Sequence, residues 1–353
     1  MNKCFIGDCR DVMRELIRGG VKVQCIVTSP PYWGLRDYGV AGQLGLESTP
    51  QEYVERMVEV FRLARELLAD DGTLWLNLGD SYANGGRGGN PTEETSGLEG
   101  GQSTQRSAMV KRTMPCAPGL KPKDLVGVPW RVAFALQADG WYLRQDIIWN
   151  KPNPMPESVT DRCTKAHEYL FLLAKSERYY FDYTTFQEPV NGNAHARGPQ
   201  SYKTPDGWDI STGEGGHGNF HKNGRENGRV RDVGVGPKAR PSKGVPNQPR
   251  VKYNDSFSAA IVDLVTKRNR RSVWTIPTQP YPEAHFATFP SALIEPCILA
   301  GSRIGDIVFD PFFGSGTTGE VAQCLGRQWI GAELNPDYEP LQKKRTAQTG
   351  MAL

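Results

Sequence analysis

One segment, residues 306–334, restricts the fold of this 353-residue chain more than any other. It begins with a short apolar run, DIVFDPF (306–312), and continues through a glycine-rich turn into the helical pattern FGSGTTGEVAQCLG (313–326). It ends with a second apolar run, QWIGAEL (328–334). Apolar runs of this length on both sides of a helical pattern predict strands. A strand, a turn, a helix and a strand in this order are typical of an α/β fold.

The same alternation of strands and helices recurs along the chain. Apolar runs predict further strands, and apolar residues at helical spacing predict further helices. The additional predicted strands are 22–29, 73–80, 142–151 and 168–176, and the additional predicted helices are 51–68, 128–141 and 289–301. Thr49 and Pro50 provide an N-cap and a first-turn proline for the helix at 51–68. Two glycine-rich segments, 83–124 and 186–250, interrupt the pattern, and we predict the first to be a flexible loop.

The glycine-rich turn has the spacing Gly314-x-Gly316-x-x-Gly319 between a predicted strand and a predicted helix. Glycines in this context let the backbone approach a ligand, and the first N–H groups of the helix point toward it. Glu333 ends the next strand, 19 residues after Gly314, where an acid accepts hydrogen bonds from ribose hydroxyls. NAD is one candidate ligand, and a tight turn without a ligand is the alternative. An acid at Asp310 favours S-adenosylmethionine, which carries an amine and a sulfonium rather than a pyrophosphate.

A second motif, TSPPYW, follows one of the predicted strands. Proline cannot extend a central strand, so Pro30 and Pro31 direct the chain out of the sheet at its carboxyl end, where α/β sheets bind ligands. The Ser29 hydroxyl and the Pro30 carbonyl are then placed to accept both hydrogens of one amino group. Tyr32 and Trp33 offer flat faces for stacking. The motif predicts a pocket for a planar ring with an exocyclic amine that attacks a methyl group, and a rigid turn with core aromatics is the alternative.

Charge is unevenly distributed along the chain. The formal net charge is +3, but residues 186–272 contain 15 Lys and Arg against 8 Asp and Glu, so this segment carries +7 and the remainder −4. A basic segment attached to a near-neutral body predicts contact with a polyanion such as nucleic acid. Within TKRNRRSVW, the predicted phosphate contacts are Lys267, Arg268, Arg270 and Arg271. A solvated charged surface is the alternative.

Composition argues against several classes of protein. No run of about 18 apolar residues is present, so we predict no membrane span. The start MNKCFIGDCRDVM lacks the features of a signal peptide, and we expect a cytoplasmic protein. The seven cysteines include no C-x-x-C pair, which argues against a disulfide framework and a cysteine-based zinc site. His217 and His221 lie among glycines rather than on a helical face, so we predict no metal site.

With TSPPYW and DPFFGSGTTG, the sequence resembles the amino-methylating DNA methyltransferases, which produce N4-methylcytosine or N6-methyladenine. The resemblance covers about residues 3–81, 125–182 and 272–345, and the motif order is the circularly permuted order of the beta group of that family. It implies a Rossmann-like S-adenosylmethionine-dependent methyltransferase fold of the α/β class. That fold has a seven-stranded, mostly parallel sheet with helices on both faces, and here a loop-rich recognition insert.

The resemblance also implies a domain organisation and partners. Residues 1–185 and 273–345 are the catalytic and cofactor-binding parts of one methyltransferase domain, and residues 186–272 are its target-recognition region. The implied cofactor is S-adenosyl-L-methionine. The implied substrate is double-stranded DNA, from which the target base is flipped out. A cognate restriction endonuclease is an implied partner, and the chain is expected to be a monomer or a homodimer.

The functional positions of the family carry over to this sequence residue by residue. The residues that match the catalytic turn are Ser29, Pro30, Pro31 and Tyr32. The residues that match the cofactor site are Asp8, Phe289, Pro290, Ser291, Asp310, Phe312, Gly314, Gly316, Thr317 and Glu333. In the family, the acid at Asp8 contacts the cofactor adenine, the acid at Glu333 binds the ribose, and the segment at 289–291 surrounds the methionine moiety. Trp33 and the basic residues of TKRNRRSVW are the predicted DNA contacts.

The residue before Pro-Pro-Tyr indicates the target base. Serine there is the usual pattern of enzymes that methylate N4 of cytosine, whereas adenine-N6 enzymes usually have Asp or Asn. The sequence therefore favours cytosine N4, with adenine N6 as the alternative. A cytosine C5-methyltransferase would need a nucleophilic cysteine, for which Pro115-Cys116 lies in a low-complexity segment. A non-catalytic DNA-binding protein would need the basic segment alone, and a NAD-dependent enzyme would have no use for the Pro-Pro-Tyr turn.

Overall fold

The structure is a computed structural model that describes most of the chain. The residues that it describes are 1–35, 37–83, 118–189, 267–279 and 289–347. The chain divides into two units, one formed by Met1–Glu188 with Asn269–Leu353 and the other by Pro189–Arg268. Most of the predicted loop 83–124 and of the predicted recognition region 186–272 lies outside the described residues.

Strands and helices alternate along the described residues. The strands are Lys3–Ile6 (β1), Val23–Thr28 (β2), Leu68–Leu78 (β3), Tyr142–Asn150 (β4), His167–Ala174 (β5), Gln187–Pro189 (β6), Lys267–Asn269 (β7), Val273–Thr275 (β8), Ile307–Asp310 (β9) and Gln328–Glu333 (β10). The helices are Cys9–Arg18 (α1), Pro50–Leu67 (α2), Val128–Ala138 (α3), Ser291–Gly301 (α4), Thr317–Cys324 (α5) and Glu339–Ala347 (α6), with a 3₁₀ turn at Pro336–Tyr338. Every strand and helix predicted from the sequence is present, with ends that differ by a few residues. In the described part of the chain, no helix is both long and apolar enough to cross a membrane.

Eight strands form one sheet in the order β1-β10-β9-β2-β3-β5-β4-β8. Neighbouring strands are parallel except around β5, which is antiparallel to both β3 and β4. The predicted α/β fold with a mostly parallel sheet is therefore confirmed. The sheet has one strand more than the seven implied by the resemblance, because the three-residue strand β8 pairs with the end of β4. The carboxyl ends of the parallel strands and the amino end of β5 lie at the same edge.

Helices cover both faces of this sheet. On one face, α1 and α2 bury Met13 and Phe61, and on the other face α4 buries Cys297. Successive residues of β2 contribute to opposite cores, Ile26 to the first and Val27 to the second. Because both faces are covered, every residue of β2 is buried, including the polar Gln24 and Thr28 of its sequence VQCIVT. Each large side chain buried in these cores contributes about 1.5–3 kcal/mol.

The sequence analysis did not predict β1, α1 or α6. Helix α1 carries a usable signal, because Cys9, Val12, Met13 and Leu16 follow the spacing of one helical face and are all buried. Helix α6 has no apolar stripe, and its one buried residue is Gln342. Strand β1 has four residues and is recognisable only once β10 is beside it.

Phe313 occupies a space that two glycines leave open. Its ring stacks on Trp329, with 5.0 Å between the ring centroids and an interplanar angle of 15°. A Cβ atom at Gly331 of β10 would lie 2.4 Å from Cγ of Phe313, and one at Gly319 of α5 would lie 2.6 Å from its Cζ. Gly319, the third glycine of the Gly-x-Gly-x-x-Gly spacing, therefore permits close packing of the helix on the sheet.

Replacement of Gly331 by alanine forces Phe313 to move. We expect Gly331→Ala to lower the free energy of unfolding by about 1–3 kcal/mol, the usual cost of overpacking a core. Denaturant unfolding measures this difference. Gly19→Ala is the matched control, because Gly19 has a φ of −77° and its added Cβ would make ordinary contacts at 3.4–3.5 Å. Equal stabilities of the two variants would contradict this description of the packing.

Candidate active site

A cavity of about 1110 Å³ opens at the edge of the sheet where the parallel strands end. Its walls include the residues that follow β2, β3, β9 and β10 and the first residues of β5. The predicted site residues that line it are Asp8, Ser29, Pro30, Pro31, Tyr32, Phe289, Phe312, Gly314, Thr317 and Glu333. The sheet therefore brings the TSPPYW turn and the glycine loop, which are far apart in the sequence, to one cavity.

The TSPPYW turn leaves the sheet directly after β2. The hydroxyl of the buried Tyr53, on α2, donates a hydrogen bond of 2.9 Å to the carbonyl of Pro31 and holds the second proline in place. Among the described residues, none donates a hydrogen bond to the carbonyl of Pro30. That carbonyl and the hydroxyl of Ser29 therefore remain as acceptors at the wall of the cavity.

The hydroxyl of Tyr32 lies at the centre of a hydrogen-bond network. It donates to Oε2 of Glu168 at 2.7 Å, and it accepts from Nδ2 of Asn77 at 2.8 Å and from the Ser29 hydroxyl at 3.2 Å. Nδ2 of Asn77 also donates to Oε2 of Glu168 at 3.0 Å. Lys151, which follows β4, forms an ion pair with Oε1 of Glu168. Residues from β3, β4 and β5 thus converge on the Pro-Pro-Tyr turn.

Sequence reasoning did not select Asn77, Lys151 or Glu168. Each is a polar residue within or beside an apolar run: Asn77 in TLWLNLGD, Lys151 after DIIWN and Glu168 before YLFLLA. A buried polar residue requires a partner, so these positions carried a usable signal. The sequence does not show that β5 runs antiparallel to its neighbours, which brings Glu168 to the edge where the other strands end.

The surroundings of Tyr32 keep its hydroxyl protonated. Burial, and after it the charge of Glu168, raises the pKa of Tyr32 well above its usual value of 10.0. The ring packs against Gly79, where a Cβ atom would lie 2.5 Å from Cε2 of Tyr32. The ring therefore lines the cavity, while its hydroxyl is bound by the network beneath.

The predicted stacking face of Trp33 is not available at the cavity. Trp33 is only 7% exposed, and it belongs to the same core as Leu44 and Tyr53. Its indole Nε1 donates a hydrogen bond of 2.9 Å to the carbonyl of Glu47. The rigid turn directs this large ring inward, where burial of its surface stabilises the fold. The structure thus places the ring of Trp33 in the core, and its contact with a ligand or with DNA stays a prediction.

The glycine loop adopts a left-handed backbone and is held by Glu333. The φ angles are +52° at Gly314 and +92° at Gly316, a region that favours glycine. Oε2 of Glu333 accepts from the N–H of Gly314 at 2.7 Å, and Oε1 accepts from the N–H of Asn335 at 2.9 Å. Burial raises the pKa of Glu333 above its usual value. Because each carboxylate oxygen has two acceptor sites, Glu333 can still accept hydrogen bonds from the cavity.

Asp310 does not line the cavity. Its side chain is 1% exposed, and its carboxylate accepts from the Thr28 hydroxyl at 2.6 Å, the Thr318 hydroxyl at 2.7 Å and the Phe312 N–H at 3.0 Å. Burial raises the pKa of Asp310 to about 6. The carboxylate therefore holds the loop from below, and the expected contact of Asp310 with a cationic ligand stays a prediction.

Three more predicted cofactor residues lie behind the cavity wall. Gly316 is the N-cap of α5, Pro290 is the N-cap of α4, and Ser291 is the first residue of α4. Of the predicted segment 289–291, the residue that lines the cavity is Phe289. Any effect of Gly316, Pro290 and Ser291 on a cofactor would therefore come from the backbone conformation of the loop and of α4.

Asp8 lines the cavity but already has a partner. Its carboxylate caps α1 by accepting from the N–H of Arg10 at 2.8 Å, and it forms an ion pair with the Arg10 guanidinium. The hydrogen bonds from Arg10 hold the pKa of Asp8 below its usual value. Asp8 is thus ionised at neutral pH, and its contact with a cofactor adenine stays a prediction.

The charge at the wall differs between the two ends of the cavity. Asp8 and Glu333 are the charged residues beside the glycine loop, whereas charges of both signs lie beside the Tyr32 network, where Lys151 pairs with Glu168. A pyrophosphate would be repelled by two carboxylates, whereas ribose hydroxyls can donate to them and a cation is attracted. The two carboxylates therefore fit the cationic S-adenosylmethionine better than NAD.

Helix α6 holds the glycine loop through polar contacts. Nε2 of the buried Gln342 donates a hydrogen bond of 2.8 Å to the carbonyl of Gly314. The guanidinium of Arg345 donates to the hydroxyls of Ser315 at 2.6 Å and Thr317 at 2.8 Å. A polar helix without an apolar stripe thus supports the conformation of the loop, which explains why its pattern was not recognised.

The basic residues predicted to contact DNA do not line the large cavity. Arg271 forms an ion pair with Glu188, with 2.8 Å between Nε and Oε1. Arg270 packs its guanidinium over Trp274, 4.4 Å from the ring centroid. The other two residues, which belong to the second unit, are Lys267 and Arg268. A role in DNA binding stays a prediction for all four.

In the described part of the chain, no group of three or more His, Cys, Asp or Glu residues could hold a metal ion. The residues Cys116, His217 and His221 lie outside the described residues.

Two solved structures of proteins described as DNA-modifying methylases have a similar fold. PvuII DNA methyltransferase, described as cytosine-N4-specific, superimposes with a TM-score of 0.55 at 16% identity, over 99% of this chain and 88% of that chain. A protein described as a candidate DNA modification methylase from Thermus thermophilus, in complex with S-adenosyl-L-methionine, gives 0.50 at 19% identity, over 99% and 94%. At these identities the likeness shows the fold alone. The fold of this chain is therefore the α/β fold of these solved DNA methyltransferases.

Sequence relatives identify the family. The family model described as DNA methylase (N6_N4_Mtase) matches residues 23–344. Type II methyltransferase M.Cfr9I from Citrobacter freundii is 43% identical over 341 residues, which cover 97% of this chain and 86% of that protein. Type II methyltransferase M.SmaI from Serratia marcescens is 43% identical over 343 residues, which cover 97% and 90%. The chain belongs to this N6/N4 DNA methylase family and is a DNA methyltransferase.

Replacement of Arg345 by methionine removes both hydroxyl contacts and keeps a long side chain. Hydrogen bonds to a charged group contribute about 1.5–3 kcal/mol, so we expect Arg345→Met to weaken S-adenosylmethionine binding about 10–100-fold. Isothermal titration calorimetry measures the affinity. Lys343→Met is the control, because the exposed Lys343 pairs with Glu339 along the same helix. If both variants bind the cofactor like the wild type, α6 does not support the loop in this way.

Proposed function

We propose that this chain transfers a methyl group from S-adenosylmethionine to the exocyclic N4 amine of a cytosine in double-stranded DNA. The observation that carries the proposal is the pair of acceptors at the cavity wall, the Ser29 hydroxyl and the Pro30 carbonyl. The Ser29 proton is directed to Tyr32, so the lone pairs of Ser29 are available to an amine. The Pro30 carbonyl accepts no hydrogen bond from the described residues.

Two fixed acceptors activate a poor nucleophile. The lone pair of an exocyclic amine is delocalised into the base, which makes the nitrogen weakly nucleophilic. Hydrogen bonds from its two N–H groups to Ser29 and Pro30 favour tetrahedral geometry at the nitrogen and release that lone pair. Tyr32 stacks on the base and keeps the nitrogen in line with the methyl group. Alignment and preorganised polar groups of this kind supply much of an enzymatic rate.

The other half of the cavity binds the cofactor. Bound S-adenosylmethionine supplies a methyl group on a sulfonium centre. In the proposed arrangement, Glu333 accepts from the ribose hydroxyls and Asp8 contacts the adenine. Phe289 and Phe312 enclose the methionine moiety beside the glycine loop. The carboxylates of Glu333 and Asp8 favour this cationic cofactor over a phosphate-bearing one.

Recognition of DNA is assigned to the basic segment. A base must leave the duplex to reach the cavity. Residues 186–272, with a net charge of +7, form the proposed target-recognition region. Residues 1–185 and 273–345 form the methyltransferase domain, in the permuted motif order of the beta group. The relatives are described as type II methyltransferases, so the proposal includes a cognate restriction endonuclease. It also includes a cytoplasmic location and a monomeric or homodimeric state.

Adenine N6 is the second candidate target. Its amine presents the same two hydrogens, and the family includes both chemistries. Ser29, in place of the Asp or Asn usual in adenine enzymes, favours cytosine. PvuII DNA methyltransferase, described as cytosine-N4-specific, is 16% identical to this chain, and this likeness concerns the fold alone.

Mass spectrometry of nucleosides from DNA incubated with the protein and S-adenosylmethionine tests the proposal. We expect N4-methylcytosine. N6-methyladenine instead would show that Ser29 does not determine the base. Loss of both products on diverse genomic DNAs, together with no measurable cofactor binding, would support a non-catalytic DNA-binding protein.

Two variants separate the halves of the cavity. Base stacking contributes about 1–3 kcal/mol, so we expect the loss of stacking alone to make Tyr32→Ala about 5–150-fold slower than Tyr32→Phe, with cofactor affinity nearly unchanged in both. We expect Glu333→Ala to weaken cofactor binding by about 10–100-fold, because hydrogen bonds to a carboxylate are lost. Steady-state kinetics and calorimetric titration measure the two effects, and thermal unfolding checks that both variants are folded. Wild-type methylation by Tyr32→Ala would refute the role given to the turn.

A further inference from the structure

One carboxylate at the cavity, Glu168, has no part in the reaction described so far. It is the second residue of β5, and its side chain is 16% exposed. Oε2 accepts from the Tyr32 hydroxyl and from Asn77, and Oε1 pairs with Lys151. Lys151 is itself held over the ring of Trp149, 4.2 Å from the centroid. The carboxylate is therefore fixed behind the Pro-Pro-Tyr turn rather than free in the cavity.

The network allows one direction of hydrogen bonding. An ionised carboxylate can only accept, and the Nδ2 group of Asn77 can only donate. Tyr32 has one hydroxyl proton, which must therefore go to Glu168, and its oxygen accepts from Asn77. The hydroxyl of Ser29 lies 3.2 Å from the same oxygen and must be the donor of that contact. The Ser29 proton thus points away from the cavity, and the Ser29 lone pairs point toward it.

We propose that Glu168 is a positioning residue that makes Ser29 an acceptor for the target amine and then receives the proton that this amine loses. The inference rests on the proposed function, since it needs an amine at Ser29. Glu168 touches neither the base nor the cofactor, and it acts through Tyr32. Without a negative charge at this position, the Ser29 and Tyr32 hydroxyls could reverse and present a proton to the amine.

The proton transfer balances. The amine nitrogen forms a bond to the methyl carbon as the carbon–sulfur bond breaks, and the electron pair of that bond stays on sulfur. The nitrogen then carries a positive charge and one proton too many. Ser29 Oγ takes that proton while its own proton passes to Tyr32, and the Tyr32 proton passes to Glu168 over the 2.7 Å contact. The two hydroxyls are restored, the amine is neutral, and Glu168 is protonated until it exchanges with solvent.

Lys151 is the counterion of this carboxylate. Its ammonium contacts Oε1, the oxygen that Tyr32 does not use, and its side chain is 18% exposed. The ion pair holds the Glu168 carboxylate in place, with Oε2 left to accept from Tyr32. The burial of both partners limits screening of the pair by solvent.

Glu168→Gln removes the charge and keeps the shape. General-base groups typically contribute 10²–10⁴-fold, so we expect the single-turnover methylation rate to fall by about 100-fold or more, with cofactor affinity within about 3-fold of wild type. Glu55→Gln is the matched control, because Glu55 lies on the exposed face of α2 and should leave the rate unchanged. A Glu168→Gln rate within about 3-fold of wild type overturns the proposal.

A conservative variant separates this role from a merely structural one. Glu168→Asp retains the negative charge that sets the direction of the chain, so we expect it to recover part of the single-turnover rate that Glu168→Gln loses. A rate for Glu168→Asp no higher than that for Glu168→Gln overturns the proposal.

Tyr32→Phe gives a second test that does not depend on the folding of Glu168→Gln. It removes the hydroxyl that joins Ser29 to Glu168 and retains the aromatic ring. If the three residues act as one chain, Tyr32→Phe and the double variant should each be as slow as Glu168→Gln. If the double variant is slower than the wild type by the product of the two single effects, the three residues do not act as one chain and the proposal is overturned. If the wild-type protein produces no methylated base, the proposed function is wrong. If the wild-type protein is active and Glu168→Gln is equally active, the proposed function stands and only the role given to Glu168 is wrong.

Discussion

A buried hydrogen bond of 2.6 Å between the Thr28 hydroxyl and the Asp310 carboxylate joins the ends of β2 and β9. Ser29 follows Thr28 directly, and the glycine loop follows Asp310, so this contact fixes the distance between the amine acceptors and the loop. A carboxylate at this depth is costly unless its oxygens are satisfied, and Thr318 and the Phe312 N–H supply the remaining donors. The raised pKa of Asp310, about 6, reflects the cost of its burial. Both halves of the site therefore depend on this one polar contact between the neighbouring strands β2 and β9.

The cavity combines two electrostatic environments that require different supports. The glycine loop is held by Glu333 from β10 and by Gln342 and Arg345 from α6, so its shape comes from polar contacts rather than from an apolar core. The Pro-Pro-Tyr turn is held by a chain of hydroxyls that ends in the ion pair of Glu168 with Lys151. Carboxylates suit a cationic cofactor at one end, and directed acceptors suit a neutral amine at the other.

Much of the fold could be predicted because the sheet is buried on both faces. Most residues of strands such as β2 and β5 are apolar, and α2 has an apolar stripe with a capping Thr49, so local pattern and tertiary burial agree. The site was only partly predictable. Glycine and proline restrict the backbone locally, which is why the two turns could be recognised from sequence. Trp33 shows the limit of that reasoning, since a ring after a rigid turn can face the cavity or the core, and only packing decides.

The sequence by itself determined the α/β class, the two turns and the acceptors Ser29 and Pro30, because these follow from backbone restriction and hydrophobic pattern. The tertiary structure decided which charges face the cavity. Asp310 is buried rather than at the cavity wall, because its carboxylate accepts hydrogen bonds from Thr28 and Thr318. Glu168 lies at the site because β5 is antiparallel to its neighbours β3 and β4. The direction of a strand depends on pairing between distant segments rather than on local residues.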